Sequence, residues 1–130
     1  MDEPFGPWRL VRRIAVGDLA DLSEAAPRPG GAPVVVKRLH AHAAREPAVR
    51  ALFAREQQVT CTLPPHPALV RGLDAGEVDG RPWLALGLAP GLDLRRRLDA
   101  GEAPSPAAAR RLVLDLLDAL AHVHAHGWLH

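Results

Sequence analysis

Lys37 and Glu56, nineteen positions apart, are the residues whose types and placement suggest chemistry. Of sixteen basic residues fifteen are arginine, and the chain has neither Asn nor Tyr. In such an arginine-rich background a single lysine marks a place where a compact, mobile ammonium is wanted rather than a planar guanidinium fork. Lys37 follows the β-branched run Val34-Val35-Val36, and Glu56 interrupts an otherwise apolar helical stripe. A carboxylate on a core-facing stripe needs a partner, because an unpaired buried charge is very costly. Pairing the two leaves two uses open: an ion pair that fixes the register of the helix, or an ammonium aimed at phosphate oxygens. A second cluster, His122, His124, His126 and His130, has i, i+4 spacing suited to a metal. Only Asp118 converges on it, and Gly127 ends the helix, so these histidines read as mostly solvent-facing and no metal site is assigned.

The elements that must position these groups can be read along the chain. Trp8–Ile14 alternates like a half-buried strand, and residues 20–25 return across a turn holding Gly17-Asp18. Residues 34–39 carry the strongest strand signal. A helix is expected from Pro47, at a first-turn position, to Leu63, before Pro64-Pro65. Its buried face would be Val49, Leu52, Phe53, Glu56, Val59 and Leu63. Residues 69–78 and 81–88 read as two strands joined at Asp79-Gly80, a strong hairpin turn. Asp93 caps a short helix to about Ala100, and Ser105-Pro106 opens a long one that stops at Gly127. The order gives an α+β fold built on a five-stranded antiparallel sheet.

Composition narrows the classes. At 130 residues, 48% hydrophobic and 24% charged, the chain can build one ordinary core. A net charge of +1 gives no global field for nucleic acid, and Arg95-Arg96-Arg97 reads as a solvated helix face. No apolar run reaches the roughly 18 residues of a membrane span. One cysteine permits no internal disulfide, and the acidic start Met1-Asp2-Glu3-Pro4 lacks the order of a signal peptide. A reducing, cytoplasmic setting is expected.

The collinear set Val34-Val35-Val36-Lys37, Phe53-Ala54-Arg55-Glu56, His66-Pro67-Ala68-Leu69-Val70, Pro90-Gly91-Leu92-Asp93-Leu94 and His122-Val123-His124-Ala125-His126-Gly127-Trp128-Leu129-His130 resembles the amino-terminal part of a bacterial, eukaryotic-type (Hanks-type) serine/threonine protein kinase. The resemblance runs from Trp8 to His130. It implies a kinase small lobe and hinge over about residues 8–89 and the start of the large lobe over 90–130. It assigns Lys37 to the phosphates of ATP and Glu56 to positioning Lys37. Ile14, Leu22, Val35 and Leu86 would wall the adenine pocket, with Gly87, Leu88 and Ala89 as the hinge. The phosphate loop aligns with Ala15, Val16, Gly17, Asp18, Leu19, Ala20, Asp21 and Leu22, where only Gly17 survives of three glycines. A β-carbon there costs about 1–2 kcal/mol if the position is left-handed and little otherwise, so a looser loop and weak or residual ATP binding are expected.

The sequence stops at the His of the H-R-D motif, without the catalytic aspartate, the D-F-G metal ligand or the activation loop. Mg2+ would be held only by a complete kinase, and these residues alone are expected not to transfer phosphate. A non-catalytic, pseudokinase-like interaction module is the alternative. The long last helix carries about six apolar side chains, each worth roughly 1.5–3 kcal/mol on burial. With no large lobe to cover it, it is expected to dock on a protein partner or a second copy, or to be poorly ordered.

Overall fold

A computed structural model describes residues 1–129; the expectations placed on His130 lie outside the described residues. Two compact units divide the chain, one of Met1–Pro64 with Val70–Leu88, the other of Pro65–Leu69 with the chain from Ala89 onward.

The first unit is an antiparallel sheet with one packed helix. Its strands are β1 (Glu3–Phe5), β2 (Trp8–Val16), β3 (Ala20–Pro27), β4 (Val34–Leu39), β5 (Gly72–Val78) and β6 (Arg81–Gly87), in the order β1-β2-β3-β4-β6-β5. The sheet thus has six strands rather than five. The addition, β1, pairs with β2 through Glu3–Leu10, Pro4–Arg9 and Phe5–Trp8. Asp79 and Gly80 turn the β5–β6 hairpin with φ of 49° and 74°, the left-handed pair that a tight two-residue turn demands. Helix α1 spans Pro47–Thr62, preceded by a 3-10 turn at Ala43–Arg45.

Pleating sends alternate side chains to opposite faces. Opposite partners across β3, β4 and β6 show which residues share a face. One face gathers Leu10, Ala25, Val34, Val36, Trp83 and Ala85, closed by Phe5 and Trp8. The Trp8 and Trp83 rings meet edge to face at 5.6 Å. The other face packs Leu39 and Leu84 against Phe53 of α1 and Ala44.

Helix α1 is rotated from the expected apolar stripe. Leu52 is 71% exposed, while Val49, Phe53 and Glu56 face the sheet as expected. Polar side chains fix that rotation. Gln57 donates to the carbonyls of Trp83 (2.7 Å) and Gly76 (3.2 Å). Arg50 donates to the carbonyls of Ala44 and Gly80 and pairs with Glu77 at 2.6 Å. At the other end Gly72 lies so close to the Thr60 carbonyl that no β-carbon would fit.

On the first face, Arg38 is buried. It bonds Asp21 through Nε (3.1 Å) and Glu3 through Nη1 (2.7 Å), with its guanidinium 5.1 Å from the Phe5 ring centroid. Hydrogen bonding from Arg38 holds the Glu3 carboxyl below its ordinary value of 4.5, against the opposing effect of partial burial. The native carboxyl therefore binds its proton less tightly than the unfolded one. Its contribution is complete above 4.5 and is lost as pH falls below that toward the native value. Urea midpoints are expected to drop more steeply from about pH 5 to about pH 3 in the wild type than in Glu3→Gln. Parallel curves for the two proteins would contradict this.

The second unit contains α2 (Leu94–Asp99) and α3 (Pro106–Ala125). Asp93 and Ser105 cap them as expected, accepting from the Arg96 and Ala108 amides. Helix α3 is well formed, and Leu112, Val113, Leu116, Leu117 and Leu120 are all exposed along it. His66 departs from a loop residue's usual role. Its Nδ1 accepts from the Ala68 amide, which leaves the proton on Nε2 to donate to Asp118 of α3 at 2.8 Å. The His66, His122 and His126 rings line up at 5.0 and 4.6 Å, with His122 half-buried between the other two and His126 exposed as expected. Among the described residues no cluster of three or more His, Cys, Asp or Glu could hold a metal.

Candidate functional site

Strand β4 and helix α1 bring the two chemically suggestive residues together. The Lys37 ammonium donates to Glu56 Oε1 at 2.7 Å and stands 5.9 Å from the Phe53 ring centroid. Lys37 is the least buried residue of β4, with neighbours buried on both sides. Its side chain is 27% exposed and that of Glu56 42%. A pair this open contributes only about 0–1 kcal/mol to stability. The Arg38–Asp21 pair, with side chains 5% and 4% exposed, carries the structural burden instead. Of the two uses the sequence leaves open, the register lock is worth little at this exposure.

The cross-strand register shows what surrounds Lys37. Leu22 of β3 and Leu84 of β6 stand directly opposite it, and Val35 is paired with Leu86 in the adjacent row. Four of the expected residues, Leu22, Val35, Lys37 and Leu86, therefore lie on one face of the sheet. Ile14 sits where the β2–β3 register slips, so Ala15 stands opposite Leu22 in its place.

The phosphate-loop residues divide. Ala15, Val16, Gly17, Asp18 and Leu19 are exposed around the β2–β3 turn, and Ala20 begins β3. Asp21 does not join them. It is opposite Arg38, on the face away from Lys37, and its carboxylate is buried against that guanidinium. None of residues 15–20 has a left-handed φ, so the alanines at 15 and 20 are not strained. The turn closes through Gly17 N–H donating to Ala20 O at 2.9 Å. At the far end of β6 the Gly87 amide donates to Arg71 O at 2.8 Å and is thereby committed within the sheet. Leu88 is half-buried and Ala89 exposed.

Sequence reasoning missed Gln57, Arg50 and two histidines, His40 and His42, which bond the turn at 17–19. A His-x-His just after the lysine strand was the available signal. The pattern is too short to single out without knowing what lies beside it. Cys61 is exposed near the end of α1, and partial burial together with nearby Asp74 pushes its thiol up.

A six-stranded antiparallel sheet, one packed helix and a lysine–glutamate bridge between them define a protein-kinase small lobe. No protein-family model matches the chain. Its sequence is 31% identical over 128 residues to the probable serine/threonine-protein kinase pknA2 of Bifidobacterium longum, covering 96% of this chain and 17% of that protein. It is 34% identical over 127 residues to the probable serine/threonine-protein kinase PkwA of Thermomonospora curvata, covering 97% and 17%. The kinase domain of Mycobacterium tuberculosis PknI matches the fold with a TM-score of 0.80 at 25% identity, covering 99% of this chain and 52% of that one. The chain belongs to the bacterial Hanks-type serine/threonine-protein kinases and spans about a fifth of the length of the curated relatives it matches. No described helix is long and apolar enough to cross a membrane.

Proposed function

We propose that these residues are the ATP-binding half of a serine/threonine protein kinase domain and do not transfer phosphate by themselves. The observation that carries the reading is the Lys37–Glu56 bridge at 2.7 Å, open to solvent beside the apolar row Leu22, Val35 and Leu86. This donor set suits a nucleotide. Lys37 offers its ammonium to phosphate oxygens while Glu56 holds it in one rotamer, and the aliphatic side chains present a flat apolar surface to a purine. Mg2+ would arrive with the nucleotide phosphates, and no residue described here is assigned to it. With ATP as its ligand, the unit would work in the cytoplasm.

The test is the thermal midpoint of the 130-residue chain with and without millimolar MgATP. Stabilisation follows the ratio of ligand to Kd, so a site with Kd one-hundredth of the ligand concentration adds about 2.7 kcal/mol. The wild type is expected to shift upward, and Lys37→Ala to lose the shift while keeping its unliganded midpoint within about 1 kcal/mol. An equal shift in both would refute the assignment of Lys37. Radiolabelled phosphate transferred to a peptide by the wild-type chain, and lost in Lys37→Met, would refute the proposed inactivity.

The exposed leucines of α3 favour a second reading, that of an interaction module whose α3 face is covered by protein. Absence of any nucleotide shift, together with self-association, would select it.

A further inference from the structure

Three successive carbonyls of the β2–β3 turn are bonded by the segment that follows β4. His40 Nε2 meets Gly17 O at 2.8 Å, His42 Nε2 meets Asp18 O at 3.1 Å, and the His40 amide donates to Leu19 O at 2.8 Å. A carbonyl only accepts, so both imidazoles carry a proton on Nε2. The two rings stack at 5.5 Å with planes 20° apart, which makes the pair of donors one rigid unit. In a planar trans peptide the N–H points opposite to the C=O. Drawing the carbonyls of Gly17 and Asp18 toward the histidines therefore turns the amides of Asp18 and Leu19 the other way, while Ala20, whose carbonyl accepts from the Gly17 amide, faces β2. A row of outward amides is an anion-binding concavity.

We propose that His40 and His42 are positioning residues for phosphate: they set the direction of the Asp18 and Leu19 amides from outside the turn, so that it can receive the terminal phosphates of a nucleoside triphosphate. The inference rests on the nucleotide-binding reading above. It also explains how a turn with alanine at 15 and 20 keeps a defined shape, since no left-handed residue fixes it. The imidazoles act through the backbone and do not themselves touch phosphate.

The experiment compares His40→Phe/His42→Phe, which keeps two rings and removes both donors, with His40→Gln/His42→Gln, which restores an N–H donor at similar reach. Two readouts are taken on the full 130-residue chain: the heteronuclear NOE of the Asp18 and Leu19 amides without ligand, and the Kd for MgATP. Each lost donor is expected to weaken binding roughly two- to tenfold. The Phe pair should lower both NOEs and weaken MgATP about four- to a hundredfold, and the Gln pair should return both readouts to within about twofold of wild type. Wild-type affinity in the Phe pair, or equal losses in both pairs, would overturn the proposal. No saturable MgATP binding by the wild type would overturn the functional reading and the phosphate role with it. NOEs lost with Phe and regained with Gln would then identify a loop clamp alone.

Discussion

Arg38→Met is expected to destabilise the amino-terminal unit by about 3–5 kcal/mol, the cost of leaving a buried charge without its partner. Arg38 and Asp21 are both buried, and the guanidinium reaches Asp21 through Nε and Nη2 and Glu3 through Nη1. Methionine fills much of the volume but leaves the Asp21 carboxylate with no cation and little water. It also removes the ion pair linking β1 to β4, so β1 should exchange its amides faster. For a domain whose total stability is about 5–15 kcal/mol, the loss is a large share. Urea unfolding should show a lower midpoint at unchanged slope. The double variant Arg38→Met/Asp21→Leu should regain most of the loss, because replacing both members of a buried pair with apolar groups is often neutral. A single-variant cost below about 1 kcal/mol would mean that Asp21 rehydrates. The neighbouring Lys37, one residue away on the opposite face, should be nearly silent in the same measurement. That contrast separates the cation that holds the fold from the cation that is available to a ligand.

What could be read in the sequence was local. The Asp79-Gly80 turn, Pro47 at the start of α1, and Asp93 and Ser105 as caps each act within a few residues, and each stands where expected. The Lys37–Glu56 pair was legible for a different reason. A charged residue on an apolar stripe demands a partner, and the composition offered a single lysine. Strand β1 was not legible, because three residues beside Gly6-Pro7 carry no periodicity. What fixes it is pairing to β2 and an ion pair to Arg38, thirty-five positions away. Asp21 was placed in the phosphate loop by the family resemblance, which does not say which face of its strand it occupies. The β3–β4 register, which turns it toward Arg38, is non-local. The face of α1 was misread at Leu52 because hydrophobic spacing alone left the rotation free. Gln57 and Arg50 set it by reaching backbone carbonyls of the hairpin.

The second large effect is expected on α3, where Leu116 and Leu117 are about half exposed within a longer apolar face. Burying one such side chain is worth roughly 1.5–3 kcal/mol, so a few of them joined against a second copy exceed the tenfold-per-1.4 kcal/mol scale several times over. The chain at tens of micromolar is therefore expected to sediment as dimers or larger species. Leu116→Glu/Leu117→Glu should shift it to monomer by more than tenfold in dissociation constant. Both positions are open to water, so at concentrations where both proteins are monomeric the substitution should leave the unfolding free energy within about 0.5 kcal/mol of wild type. It should also leave any MgATP shift intact, since Lys37 and its surroundings lie in the other unit. A monomeric wild type whose α3 amides resist hydrogen exchange would count against this, because a helix with so much uncovered apolar surface would then be stable without a covering surface. A substitution that unfolds α3 would count against it too, by showing that the leucines pack within the chain rather than between chains.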